Sequence, residues 1–307
     1  MKWQKEKLKV LVKERGLTHD QLAEEIGVSR QTVASWFAGQ VPKGLHLMKL
    51  WSLLQLAPGA LFQDDSPHYI TRAMYHTIGQ GPSLEKVKKE TEALVARYAG
   101  FFTKKDTSPL QPVILSRDTG MAKSLAGSFR EIMRLQDGAA PTMFDILALM
   151  ARLGVCVIPR SFPEEISADA FFVTVNFKRV IFVNRSCRLS DLTRSLVHES
   201  VHAMRPTMTE DADDAEIAKE EKFCEDVVRQ TCAGKVTAND QTLEGMMFLL
   251  GEVSPYVLFL KRHFPVWYAI LKDNVSLLTV SRMAEVLDIS QTDASAFVKC
   301  ISGDVVL

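Results

Sequence analysis

Strand chemistry in this 307-residue chain is confined to one block, residues 155–183, and the hydrophobic period is helical on both sides of it. Val155-Cys-Val-Ile158 is a short apolar run. Phe171, Val173, Val175 and Phe177 alternate, and Val180-Ile-Phe-Val183 follows as a second run, which predicts a hairpin or adjacent strands. Segments so few can build only a small sheet, so helices must supply most of the core, and the expected fold class is α+β. Before the block, helices are expected from Ser83 to about Ala99, near Met121–Arg134, and from Pro141-Thr142 to Leu153, where Gly154 stops the last; Thr103 to Pro112 reads as a loop. After it, they are expected over Ser190–Met204, Asp213–Cys232 and most of 239–302. Asp64-Asp65-Ser66-Pro67 and Gly79-Gln80-Gly81-Pro82 both break the pattern. The expected organisation is therefore a helical domain at 1–63, a linker at 64–83, a larger domain at 84–274 and a helical C-terminal segment at 275–307.

Composition narrows the class further. With 37 Lys+Arg against 37 Asp+Glu and 47% apolar residues, the chain is neither disordered, collagenous nor a coiled-coil rod. No apolar run approaches the roughly 18–20 residues that span a bilayer, so no membrane partner is expected. The opening Met-Lys-Trp-Gln-Lys lacks the apolar core of a secretion signal. Five cysteines between Cys156 and Cys300 form no spaced framework, which points to a reducing, cytoplasmic setting. The neutral total hides local asymmetry. Residues 1–63 carry nine Lys/Arg and five Asp/Glu, whereas 206–226 carry nine acids and two lysines.

In the first domain, Leu8, Val12, Leu17, Leu22, Ile26, Val28, Val33, Trp36 and Leu50 form the expected core. Thr18 with Gln21 is a capping box for a helix that ends at Ile26, and Gly27 supplies the left-handed stop. Ser29 caps the next helix, which carries Arg30, Gln31, Thr32 and Ser35 on its early turns. Helix, short glycine turn, helix is the layout of a helix-turn-helix, and those side chains can hydrogen-bond base edges in a major groove. The plain alternative is a solvated polar face. The stretch Leu17 to Gly39, with Pro42 and Leu50 to Phe62, closely resembles the phage-repressor-like (Xre/Cro) helix-turn-helix family, through Gln21, Ala23, Gly27, Ser29, Val33 and Trp36. The resemblance covers about residues 5–62. It implies five helices, with Arg30, Gln31 and Ser35 facing bases and Gln21 approaching a phosphate, on double-stranded DNA bound by a homodimer.

His198-Glu199-Ser200-Val201-His202 lies late in the helix expected over Ser190–Met204. At about 100° per residue the two imidazoles project from one face, the spacing that holds one Zn²⁺ per chain. Glu199 stands where it can take a proton from water at the metal. A chance match is expected in on the order of one chain in a hundred of average composition. A catalytic zinc needs a third protein ligand, and no further histidine follows at short spacing. The next helix offers Glu216, Glu220, Glu221 and Glu225. Its apolar arc, Ile217, Phe223, Cys224, Val227, Val228 and Cys232, contains Glu220 and borders Glu221, so periodicity mildly favours Glu220.

Residues from about 142 to 234 resemble the ImmA/IrrE family of bacterial metallopeptidases, through Leu153-Gly154-Val155, Val180 to Asn184 and Leu196-Val-His-Glu-Ser-Val-His-Ala203. The resemblance implies a zincin-like metallopeptidase domain, with Glu221 as the third ligand because Cys224 and Val227-Val228 then take the family's small and core positions. Val227-Val228 and Thr231-Cys232 depart from the family's usual Phe-Ala and Leu-Leu, and the stretch 235–275 is longer than the family leads one to expect. Cleavage of a partner repressor or cognate regulator is the implied activity. A transcription factor or antitoxin-like regulator with structural or sensory zinc, and a proteolytic toxin, are the alternatives. Tyr256, Tyr268, Arg205 and His263 are candidates for the oxyanion donor, with no spacing argument among them. Cys224 lies about one turn beyond Glu221, so its thiol either packs or reaches the metal. The tail, Thr279 to Phe297, imitates a second helix-turn-helix and reads as structural.

Overall fold

The computed structural model describes residues 2–42, 46, 49–50, 53–54, 61–63, 84–102, 117–175, 178–205, 213–234, 240–248, 251–275 and 278–303. It divides into two compact units, Met1–Pro67 and His68–Leu307. The expected linker at 64–83 with its Ser83 cap, the loop at 103–112 and Phe177 lie outside the described residues.

The first unit contains α1 (Lys5–Glu14), α2 (His19–Ile26) and α3 (Arg30–Ala38). Thr18 and Gln21 form the capping box, Gly27 turns left-handed at φ 78°, and the Ser29 hydroxyl accepts from the Thr32 N–H. Leu8, Val12, Leu22, Ile26, Val33, Trp36 and Leu50 are buried together, with Leu17 and Val28 packed at the margin. The count of helices beyond α3 falls largely on residues outside the described set. A two-stranded antiparallel ribbon, β1 (Lys2–Trp3) with β2 (Phe62–Gln63), was not expected from the sequence. Two residues are too short to show a period. The ribbon instead answers to long-range contacts: Gln4 N–H donates to Leu61 C=O, and the buried Trp3 indole N–H donates to Trp36 C=O.

The second unit opens with α4 (Leu84–Ala99), α5 (Thr119–Ile132) and α6 (Met143–Arg152). Thr142 and Asp145 cap α6 reciprocally, which fixes the start expected there. The sheet follows: β3 (Cys156–Arg160), β4 (Ala170–Val175) and β5 (Lys178–Asn184), in the order β3-β5-β4. β4 and β5 pair antiparallel as the adjacent runs predicted, and β3 joins parallel to β5. Nearly every residue of the three strands is buried, not only alternate ones, so helices cover more of the sheet than the β4 alternation implied. Among the described residues β4 is an edge strand.

Helices complete the unit: α7 (Leu189–Met204), α8 (Asp214–Thr231), α9 (Leu243–Phe248), α10 (Val253–His263), α11 (Pro265–Asn274), α12 (Val280–Leu287) and α13 (Gln291–Ser302). α7 packs on β4, β5 and α6, and α8 packs between α7 and α5. Together they give an α+β architecture with a small mixed sheet. The tail belongs to the core. Met283, Leu287 and Phe297 are buried in the same cluster as the sheet, and the Tyr98 hydroxyl donates to Val286 C=O. No helix among the described residues is long and apolar enough to cross a membrane.

The end of α8 is fixed from two sides. Arg130 donates to Thr231 C=O and Ala233 C=O. Gly234 has φ 143°, and a Cβ there would stand 2.6 Å from the Gly138 carbonyl oxygen. Gly234→Ala should therefore lower stability by roughly 1–3 kcal/mol, read as a shifted denaturant midpoint with an unchanged slope.

Candidate functional site

α7 and α8 lie against each other, and their facing side chains build a cluster rich in metal-ligand types. His198 and His202, one turn apart on α7, present their Nε2 atoms to each other at 3.2 Å. From α8, Glu221 reaches both: Oε2 is 3.0 Å from His198 Nε2, and Oε1 is 3.5 Å from His202 Nε2. Glu225, one turn later, holds His198 Nδ1 at 3.2 Å. An outer carboxylate contact of this kind can fix an imidazole for metal binding, and it leaves Nε2 facing the cluster. Cys224 Sγ lies 3.7 Å from His202. His198, His202 and Cys224 each offer a ligand atom within 4.8 Å of the others, a buried group that could bind a metal ion.

Glu220 does something different. Its buried carboxylate accepts from Arg117 at 2.7 Å and from Arg205, so the inward position that periodicity favoured holds an ion-pair network. Glu216 is exposed at the start of α8. The four acids are placed differently: Glu221 meets both histidines, Glu225 contacts His198 Nδ1, Glu220 binds the arginines with Oε1 also 3.8 Å from His202 Nδ1, and Glu216 faces solvent.

Electrostatics point the same way. Burial opposes ionisation of Glu221, but the adjacent His198 and His202 imidazoles outweigh it and bring the carboxyl down to about 2. Burial works against charge on His198, yet Glu221 and Glu225 raise it to about 10. His202 is also raised against the opposing effect of burial, by Cys224 and Glu221. The space between these groups calls for positive charge. Glu221 Oε1 is buried and has no hydrogen-bond partner among the described residues. With metal–nitrogen and metal–oxygen bonds of about 2.0–2.1 Å, a tetrahedral centre has ligand-to-ligand edges of about 3.3 Å, close to the separations seen. The residues fit a zinc-sized divalent cation.

Glu199 is buried on α7, where Oε2 accepts from the Phe172 N–H of β4 at 2.8 Å. Burial raises its pKa and the two histidines partly counter that. His198, Glu199 and Glu221 line a cleft of about 860 Å³ that also touches Ala168 and Ala170 beside β4. None of Tyr256, Tyr268, Arg205 and His263 lines it. Arg205 is held by Glu220, His263 packs at a tilt against Phe144 and Phe259, and Tyr256 borders a separate pocket with Arg185 and Asp288. The cation that does line the cleft is Arg194, four residues before His198 and so on the same helix face. That spacing was visible in the sequence and went unused.

On the first unit, Arg30 and Gln31 are exposed at the start of α3, and Thr32 and Ser35 are half-buried. Arg30 makes an exposed ion pair with Asp20 at 3.4 Å. Ser35 donates to Thr32 C=O, and Thr32 shares a hydrogen bond with Ser29. Gln21 spends its carbonyl oxygen on Thr18, so its amide nitrogen is the group able to meet a phosphate. Residues 8–61 match the family model of the helix-turn-helix HTH_3. The first unit therefore carries a helix-turn-helix domain, which supports DNA-binding transcription regulation. The match ends before the second unit, and no curated protein and no solved structure matches the chain.

The divided roles on α8 make a direct test. Metal analysis after dialysis should find one equivalent of divalent metal per chain, lost in His202→Ala and in Glu221→Ala. Glu220→Ala should keep the metal but remove the buried acceptor that Arg117 and Arg205 share, lowering stability by roughly 3 kcal/mol. Metal loss in Glu220→Ala with retention in Glu221→Ala would reverse the assignment.

Proposed function

We propose that the protein is a DNA-binding transcription regulator whose second unit is a zinc-dependent endopeptidase acting on a partner repressor. One observation carries the peptidase reading: His198, His202 and Glu221 converge, and His198 and Glu221 line a cleft together with the neighbouring Glu199. Zinc held by those three residues would supply a Lewis acid for a peptide carbonyl and for water.

The chain's own groups divide the remaining work. Phe172 N–H fixes Glu199 through Oε2, which leaves Oε1 as the atom that accepts a proton from water and returns it to the leaving nitrogen. Glu225 keeps His198 from turning. Asn184 N–H donates to Asp169 C=O and Phe172 N–H points away from β5, so alternate backbone groups of β4, Ala170 among them, face outward. An extended substrate segment can add to that edge, its main chain held by backbone hydrogen bonds and its scissile bond placed beside Glu199. Arg194 gives the same cleft a positive charge.

Incubating the zinc-loaded protein with its cognate repressor, sought as the product of the adjacent gene, should yield discrete fragments. Glu199→Gln should keep the metal and lose about 100-fold or more in cleavage rate. Equal cleavage by the two proteins removes the peptidase reading.

The DNA-binding half has its own test. Residues 1–63 should bind a two-fold duplex site with half-sites about 10 bp apart. Arg30→Ala should weaken specific binding by about 1–3 kcal/mol and relax preference at one base pair. Binding without sequence preference at physiological salt counts against regulation through this domain.

A further inference from the structure

Cys224 is fully buried on α8, and its surroundings set it apart from the other buried thiols. Cys156 lies inside the sheet, where burial pushes its thiol far up, as expected of a small packing residue. Cys224 instead faces ligands. Its Sγ is 3.7 Å from both ring nitrogens of His202, and a tetrahedral zinc centre has a nitrogen-to-sulfur edge of about 3.5 Å, given bonds of about 2.0 and 2.3 Å. It shares a span of 4.8 Å with donor atoms of both histidines, and the orphaned Oε1 of Glu221 lies in the same cluster.

We propose that Cys224 is a fourth protein ligand, so that His198, His202, Glu221 and Cys224 close the metal centre at rest. The inference rests on the metal-site reading above and adds regulation to it. Zinc sites with four protein ligands are closed, whereas a catalytic site keeps one position open for water. The thiol gives its proton to solvent when the metal binds, and the thiolate then takes the position that water needs. The peptidase is latent in this state. It would gain activity when the thiolate takes a proton back from solvent and water replaces it, while the two histidines and Glu221 retain the metal.

Cobalt(II) titrated into the metal-stripped full-length protein tests this directly. Wild type should bind one equivalent and develop a near-ultraviolet thiolate-to-cobalt charge-transfer band. Cys224→Ser should also bind one equivalent, lack the band and release one fewer proton per metal. Its zinc form should cleave the partner repressor faster than wild type. One equivalent bound by wild type without the band, or a band that survives in Cys224→Ser, overturns the proposal and leaves the three-ligand site standing. Failure of wild type to take up one equivalent overturns the metal site and this inference together.

Discussion

The buried carboxylate of Glu220 sets the rotation of α8, and the site depends on that rotation. Arg117 and Arg205 approach it from different parts of the chain, and a carboxylate so buried cannot turn to solvent without giving up both of these ion pairs. With Glu220 fixed inward, the next residue on the helix sits about 100° further round. That is where Glu221 meets His198 and His202. Residues one turn on follow the same constraint, which brings Glu225 to His198 and Cys224 to His202. The ion pair contributes specificity of orientation more than net stability, since burying charges costs much of what their attraction returns.

α7 is held by a different set of contacts. Its apolar residues Leu192, Leu196, Val197 and Val201 are buried in the core shared with β4 and β5, so the histidines emerge at the seam with α8. Arg179 on β5 donates to Ala203 C=O and Arg205 C=O, satisfying carbonyls that the end of α7 would otherwise bury unpaired. The residue that follows α7, Arg205, is also the one that clamps Glu220. One short stretch therefore ends the first ligand helix and orients the second.

Local signals carried much of this into the sequence. The Thr18–Gln21 and Thr142–Asp145 caps lie within three residues, and both form as written. The four-residue spacing of His198 and His202 fixes a shared face on any helix, so half of the cluster was legible from periodicity. The choice between Glu220 and Glu221 was not. Periodicity reports which side of α8 is buried, and Glu220 is indeed buried, but what meets it there depends on Arg117, 103 residues away. Only the family resemblance pointed to Glu221. The β1–β2 ribbon failed for the same reason: its pairing joins residues about sixty apart and leaves no pattern in either strand.

Glu199 argues for chemistry over architecture. It is an ionisable group in the densest part of the unit, beside Val197 and Val201, both fully buried, and its hydrogen bond to Phe172 N–H satisfies only one of its two oxygens. An apolar residue of similar volume would pack there without the desolvation penalty of a buried carboxylate. A centre built solely to brace α7 against α8 would have no use for it, because the histidines and Glu221 already span the two helices. Its cost becomes intelligible on the proposed peptidase reading, in which Glu199, at the cleft, would be the proton acceptor for a docked peptide. The same logic applies to Cys224 with the opposite sign. A valine or alanine would fill its slot, whereas a thiol at that distance from His202 is what the proposed closed centre would need to keep water from the metal.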